Sequence, residues 1–208
     1  MKGRHRTAVR ELCKAGRALC AQGLTPGTSG NISVRVEHGY AMSPTNAFLG
    51  GLKPDDVSLL DESGTHIGGL APTKERGLHL AFYERQPDVC AVVHVHSTYA
   101  VALSCLEHDD PDDVLRPLTP YAIMRVGRLT LAPYARPGSP DVVAAVASRA
   151  AHSRAVLLAN HGPIFAAETL AQAVAAIGEI EEAAKLQILL EGLPIRTLTP
   201  EEIAALRS

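Results

Sequence analysis

The sequence predicts an α/β fold of the α+β type, in which a central, mainly antiparallel sheet is flanked by helices on both faces. Two pairs of short strand-like segments are each separated by turn residues, as in β-hairpins: 32–36 with 40–43, and 57–60 with 65–67. Segments with helical spacing of apolar residues lie between the strands, but without the regular strand–helix alternation that builds a parallel sheet.

The predicted helices begin and end at residues that suit helix termini. Val9, Leu12 and Leu19 share one helical face, and Gly23 ends their helix. Ser97 is expected to cap a helix, and Ser139 another with Pro140 at its first position. The predicted helices are 7–22, 73–85, 97–106, 139–152, 169–190 and a short one from Thr199, and the remaining strands are 90–96, 129–132 and 155–159.

The composition favours a single domain over residues 1–208 and excludes several functions. Hydrophobic residues make up 46% and charged residues 20%, which is ordinary for a globular protein. With 20 Lys and Arg against 22 Asp and Glu, no basic excess points to nucleic acid. Five Tyr, three Phe and no Trp also supply little stacking surface for single strands.

The expected location is the cytoplasm. No apolar run reaches the ~18 residues of a membrane span, and the charged N-terminus has no apolar segment like that of a signal peptide. Cys13, Cys20, Cys90 and Cys105 form no C-x-x-C pair, so they are expected to be reduced and mostly buried.

Histidines at the ends of two predicted strands suggest a metal site. His94 and His96 are two residues apart on a strand and point to the same face, so they can meet one ion. His161 follows an apolar strand within Asn160-His161-Gly162, and three histidines would leave a zinc ion an open position. The alternatives are a hydrogen-bonded core pair for the first motif and a simple turn for the second.

Three further features have both a functional and an ordinary interpretation. Glu75 falls in the first turn of the predicted helix 73–85, where Glu is common for electrostatic reasons. His79 lies on the same helix face and is a candidate fourth ligand, although a core or surface histidine is favoured. The loop 27–31 can offer backbone N–H groups and hydroxyls to an anion, or be an ordinary turn, and it lacks the G-K-[ST] of a P-loop.

Together, the order and spacing of these motifs resemble the class II aldolase/adducin family over about residues 7–190. The resemblance rests on segments 27–33, 43–45, 72–75, 94–96 and 160–162, and on His79. Segments 104–106, 112–121, 124–127, 133–138 and 157–163 are similar to a decarboxylase branch of that family, which acts on a phosphorylated four-carbon 3-oxo acid. The resemblance implies a three-layer class II aldolase-like fold.

The resemblance also implies a catalytic metal. His94, His96 and His161 would hold one Zn²⁺ per subunit, with Mn²⁺ and Co²⁺ as alternatives. Glu75 would be an additional ligand in the resting enzyme and an acid/base once substrate displaces it. Tyr121 would be a proton donor, in its own or a neighbouring subunit, since the family typically forms homotetramers with active sites at subunit interfaces.

The implied partner is a phosphorylated small molecule rather than nucleic acid or a membrane. Asn31, Thr45 and Thr73, with the backbone of Gly30 and Asn46, would bind its phosphate. Lys74 replaces the Ser usual in the sugar-phosphate aldolases of this family, and its ammonium would suit a doubly anionic substrate. A solvated surface lysine is the alternative.

The expected reaction is decarboxylation of 3-oxo-tetronate 4-phosphate to dihydroxyacetone phosphate and CO₂, through an enediolate stabilised by zinc. The alternative is a class II aldolase that cleaves a fuculose- or ribulose-phosphate type sugar to dihydroxyacetone phosphate and an aldehyde. Both reactions need the same enediolate, so the metal motifs do not separate them. A non-catalytic, adducin-like interaction module is disfavoured, because the three histidines and Glu75 are all present.

Overall fold

A computed structural model describes residues 3–207 and has an eight-stranded sheet at its centre. The strands are β1 Asn31–Val36, β2 Gly39–Met42, β3 Ser58–Leu60, β4 His66–Gly68, β5 Ala91–His94, β6 Leu129–Ala132, β7 Ala155–Leu158 and β8 Gly162–Ala167. Their order is β4-β3-β2-β1-β5-β8-β7-β6, and every neighbouring pair is antiparallel except β6 and β7. The predicted mainly antiparallel sheet and both hairpins are confirmed.

Helices cover both faces of this sheet, as predicted. They are α1 Gly3–Ala21, α2 Arg76–Arg85, α3 Thr98–Ser104, α4 Pro120–Arg125, α5 Pro140–Ala150, α6 Leu170–Leu189 and α7 Pro200–Arg207. Alternate strand residues enter two separate cores. Phe165 of β8 belongs to the core that also contains residues of α1, α3, α4 and α6, and Ile164 belongs to the core that contains residues of α2 and α5. Residue-by-residue alternation along the central strands thus produces the three layers.

The end of α1 shows how local chemistry positions the next strand. Gly23 adopts a left-handed conformation with φ 72° and donates its N–H to the carbonyl of Cys20. Leu24 donates to the carbonyl of Leu19, and both leucines are buried. This is the Schellman arrangement, which favours glycine because a Cβ is strained at that φ.

Helix α3 is capped differently from the prediction. Ser97 occupies the N-cap position, but its hydroxyl makes no capping bond and has no partner within residues 3–207. The Glu181 carboxylate of α6 instead accepts from the N–H groups of Tyr99 at 2.9 Å and Ala100 at 2.8 Å. A charged acceptor at a helix N-terminus satisfies two free donors at once. By contrast, Ser139 caps α5 as predicted, accepting from Val142.

The structure contains one strand and one α-helix that the sequence does not predict. Strand β8 was not expected because Gly162 and Pro163 are typical of turns, and proline is rare in a central strand. Helix α4 was not expected because it has only 6 residues. In addition, α2 begins at Arg76 rather than Thr73, and β5 ends at His94 rather than His96.

The four cysteines are free, as predicted, but they are not mostly buried. Cys13 is buried and Cys20 is half-buried, whereas Cys90 and Cys105 are exposed. Among the described helices, none has the length and apolar character needed to cross a membrane.

Candidate metal centre and substrate cavity

Three histidines distant in sequence meet at one end of the central strands. His94 ends β5, His96 follows it, and His161 lies in the turn between β7 and β8. Their Nε2 atoms are 3.1 Å apart between His94 and His96, 3.1 Å between His96 and His161, and 3.3 Å between His94 and His161. When an ion has tetrahedral coordination and metal–nitrogen bonds of about 2.0–2.1 Å, any two of its ligand nitrogens lie about 3.3 Å apart. The cluster therefore has the spacing of a metal site.

The hydrogen bonding of His94 orients its ring for a metal. Its Nδ1 lies 2.8 Å from the carbonyl oxygen of Pro163, which can only accept, so the proton is on Nδ1. Nε2 therefore presents a lone pair to the other two rings. Burial lowers the pKa of His94 to about 3 and also lowers that of His96, so both are neutral near pH 7. Neutral imidazoles are the form that binds metal ions.

Glu75 adds a carboxylate to the cluster. Its Oε1 lies 3.3 Å from Nε2 of His161, and its Oε2 lies 3.6 Å from Nε2 of His94. All four potential ligand atoms lie within 4.8 Å of one another. Glu75 is the N-cap residue of α2 (φ −93°, ψ 13°), so its predicted place in the first helical turn is wrong.

Glu75 is held in its ionised form. Burial raises its pKa, but hydrogen bonding with His161 and the hydrogen bond from Asn31 outweigh burial and leave the pKa well below its ordinary value. The amide nitrogen of Asn31 donates to Oε2 at 2.7 Å. The carboxylate is therefore available to a metal ion as a charged ligand.

His79 is a core residue and not a fourth ligand. It is fully buried in α2, and both ring nitrogens already have partners. Nε2 lies 2.5 Å from Oδ1 of Asn31, and Nδ1 lies 2.7 Å from the hydroxyl of Ser33. The ordinary interpretation of this residue is the one that the structure supports.

The cluster of three histidines and Glu75 opens into a cavity of about 780 Å³ that is lined mainly by polar residues. The cavity brings together all six residues that the resemblance assigned to substrate: Gly30, Asn31, Thr45, Asn46, Thr73 and Lys74. Glu75, His96 and His161 line the same cavity. An anion bound among these hydroxyls, amides and the lysine would therefore lie next to the cluster of histidines and Glu75.

Tyr121 does not reach this cavity within one chain. Of the described residues, those that line the cavity do not include it. Tyr121 is 57% exposed at the start of α4, with the guanidinium of Arg125 over its ring at 4.8 Å. The cavity is also lined by Thr28 and Ser29 of the predicted anion loop, by Asn160 of the histidine motif, and by Pro137 and Gly138, to which the sequence assigns no role. All five lie in or next to the segments that carried the family resemblance.

A glycine allows the two strand ends to approach. Gly162 has φ 152°, and a Cβ added there would lie 2.5 Å from the carbonyl oxygen of Val95. The missing side chain thus lets the β7–β8 turn press against the chain that carries His94 and His96. The Asn160-His161-Gly162 segment is therefore both a turn and part of the site.

A second cavity, of about 810 Å³, lies at the opposite end of β7 and β8. Two of its four arginines have acidic partners: Arg125 lies 3.7 Å from Glu179, and Arg154 pairs with Asp88 and Glu168. Among the described residues, the only group of His, Cys, Asp and Glu that could hold a metal ion is at the first cavity. The chemistry therefore points to the smaller cavity.

Three imidazoles and one carboxylate, open to a cavity lined by polar residues, form a group that could hold a divalent metal ion, as an enzyme that uses the ion as a Lewis acid requires. Residues 10–188 match the family model described as Class II Aldolase and Adducin N-terminal domain. The chain belongs to the class II aldolase/adducin family, as its motifs predicted.

Comparison with individual proteins narrows this assignment. The chain is 42% identical to 3-oxo-tetronate 4-phosphate decarboxylase of Haemophilus influenzae, over 95% of this chain and 94% of the relative. It is 34% identical to L-fuculose phosphate aldolase of the same organism, over 87% and 83%. The crystal structure of YgbL from Escherichia coli superposes with a TM-score of 0.94 at 40% identity, covering 98% of this chain and 99% of that one. The predicted similarity to the decarboxylase branch is confirmed.

Proposed function

We propose that this protein is a metal-dependent carbon–carbon lyase that converts 3-oxo-tetronate 4-phosphate to dihydroxyacetone phosphate and CO₂. The observation that carries the proposal is the identity over nearly the whole chain to decarboxylases, 42%, against 34% to an aldolase from the same organism. The intact His/Glu cluster supports catalysis over a purely structural role.

His94, His96 and His161 are proposed to hold one Zn²⁺ per subunit, with Glu75 as an additional ligand in the resting enzyme. The nitrogen spacing of 3.1–3.3 Å and the lowered pKa values of His94 and His96 support this assignment. Mn²⁺ and Co²⁺ are the alternatives, since imidazole also suits them. A bound ion of this kind supplies Lewis-acid polarisation of the substrate carbonyl.

The cavity is proposed to bind the substrate through its two anionic ends. The hydroxyls of Thr45 and Thr73 and the backbone N–H groups of Gly30 and Asn46 suit phosphate oxygens. Lys74 adds a positive charge for the phosphate or the carboxylate. Asn31 already donates one N–H to Glu75, which leaves its second N–H for the phosphate.

The reaction also needs a group that handles protons. Loss of CO₂ moves the electrons of the broken carbon–carbon bond toward the 3-oxo oxygen, and the carbon that lost CO₂ must then gain a proton. Glu75 is the acid/base nearest to that position, and substrate binding would free it from the cluster. Tyr121 is proposed as a second proton donor.

The exposed position of Tyr121 favours action in a neighbouring subunit. We infer a homotetramer with active sites at its interfaces. The exposure of two large side chains of α4 supports this inference: Tyr121 is 57% exposed and Met124 is 59% exposed. A cytoplasmic location is proposed, supported by four free cysteines, two of them exposed.

The test is incubation of zinc-loaded protein with 3-oxo-tetronate 4-phosphate, with CO₂ and dihydroxyacetone phosphate both measured. Equimolar release of the two products is expected. Glu75→Gln is the matched inactive variant. It keeps the size of the side chain but removes its charge, so turnover should fall strongly. Absence of CO₂, with aldehyde released from fuculose 1-phosphate or ribulose 1-phosphate, would replace the decarboxylase with the aldolase.

A further inference from the structure

A chain of buried hydrogen bonds runs from Glu75 into the core. Nδ2 of Asn31 donates to Glu75, and Oδ1 of Asn31 lies 2.5 Å from Nε2 of His79. Nδ1 of His79 lies 2.7 Å from the hydroxyl of Ser33, which in turn lies 2.7 Å from the hydroxyl of Tyr83. Asn31 is 4% exposed, and Ser33 and His79 are fully buried.

The chemistry of the groups determines the direction of every bond in this chain. An ionised carboxylate can only accept, so the amide nitrogen of Asn31 faces Glu75 and its carbonyl oxygen faces His79. That oxygen also only accepts, so His79 carries its proton on Nε2. Burial lowers the pKa of His79 to about 4, and the neutral ring therefore has a lone pair on Nδ1. Ser33 donates to that lone pair and accepts from Tyr83.

The other tautomer of His79, with its proton on Nδ1, would create a repulsive contact. A proton on Nδ1 of His79 would leave two acceptors, Nε2 and Oδ1 of Asn31, facing each other at 2.5 Å. Rotating the Asn31 amide by half a turn would relieve that contact but would bring its oxygen against the Glu75 carboxylate. The tautomer of His79 and the orientation of Asn31 are therefore coupled.

The far end of the chain is held rigidly. The ring of Tyr83 stacks on Tyr40 with centroids 4.6 Å apart, and the guanidinium of Arg35 lies 5.0 Å from the Tyr83 centroid. Arg35 also donates to the backbone carbonyl of Tyr83 at 3.0 Å. Burial raises the pKa of the Tyr83 phenol, so it keeps the proton that it donates to Ser33.

We propose that His79 is a positioning residue, whose Nε2–H fixes the amide of Asn31 so that its N–H holds the Glu75 carboxylate beside the three histidines. The chain positions rather than conducts protons, because the amide of Asn31 does not pass a proton from one side to the other. The kinetic consequence rests on the proposed lyase activity, whereas the hydrogen-bond direction does not.

The first measurement is nitrogen NMR of the ¹⁵N-histidine-labelled wild-type protein, with His79 assigned by its loss in His79→Gln. The expected signature is a neutral ring protonated on Nε2. A ring protonated on Nδ1 would overturn the proposal. This readout needs no turnover, so it decides the inference even if neither the decarboxylase nor the aldolase reaction is observed.

The second measurement compares the kinetics of two variants. His79→Leu removes the donor, and loss of such an outer partner lowers activity by about 10–100-fold. The loss is expected in kcat, with KM nearly unchanged, because Asn31 and Glu75 both remain. His79→Gln keeps an N–H donor and should recover most of kcat. His66→Leu, at an exposed histidine of the edge strand β4, is the matched control and should behave as wild type.

A positioning role predicts a difference between these two variants that a merely structural role does not. Equal losses in His79→Leu and His79→Gln, with both proteins folded by circular dichroism, would overturn the proposal. Recovery in His79→Gln together with the Nε2–H signature would establish it.

Discussion

The buried, neutral state of His79 makes the stability of the protein depend on pH. Its pKa is lowered to about 4 in the folded protein, against about 6.5 in an unfolded chain. Between these two pH values, His79 is protonated in the unfolded chain but neutral in the folded protein. The stabilisation that His79 supplies is therefore present above pH ~6.5 and is lost as the pH falls toward 4.

The size of this effect follows from the two pKa values. Lowering the pH from 7 to 4.5 should cost about 2.5 kcal/mol through this one residue. This loss is a large part of the free energy of unfolding of a typical domain, which is about 5–15 kcal/mol. His79→Leu cannot bind the proton in either state, so it should lack this contribution while keeping those of the other histidines.

The assay is urea unfolding of wild type and His79→Leu at pH 7 and at pH 4.5, with metal removed by a chelator from both. The wild type should lose about 2.5 kcal/mol more of its free energy of unfolding than the variant does. Equal losses in the two proteins would refute the reasoning, because they would mean that His79 titrates in the folded state as it does in the unfolded chain.

Four further substitutions test other parts of the structure. His161→Ala should abolish stoichiometric metal binding and turnover together, measured by metal analysis after dialysis and by product release; full activity without metal would contradict the assignment. Gly162→Ala should destabilise the fold by about 1–3 kcal/mol in thermal unfolding, because the added methyl meets a backbone carbonyl at 2.5 Å. Glu181→Ala should cost about 1–2 kcal/mol through loss of the α3 cap, whereas Glu182→Ala next to it should cost little. Lys74→Ser should raise KM for the 3-oxo acid; an unchanged KM would make Lys74 a solvated surface residue.

Local patterns predicted much of the fold correctly. The hairpin β1–β2 follows from alternation around a turn, and the cap of α5 follows from Ser139 followed by Pro140. These features depend on residues within a few positions of one another, where the backbone has few choices. The same holds for His94 and His96, whose separation by one residue puts them within reach of one ion.

Other features were mispredicted because they depend on partners distant in the chain. Ser97 has the chemistry of a helix cap, but Glu181 of α6 occupies that role from 81 and 82 positions away. Strand β8 contains Pro163, which local rules exclude from a central strand, yet β5 and β7 pair with it on both sides. Its carbonyl oxygen is the acceptor that orients His94.

The sequence by itself determined which chemical groups the protein carries: three imidazoles and a carboxylate that could hold a metal ion, a loop of small residues, and the family that combines them. Only the tertiary structure decided how these groups meet. The register of β8 between β5 and β7 brings His161 to His94 across 67 positions, and α2 brings Glu75 and His79 to Asn31 at the start of β1. The physical reason is that periodicity determines which face a side chain occupies, whereas sheet register and helix packing determine which distant side chain it faces there.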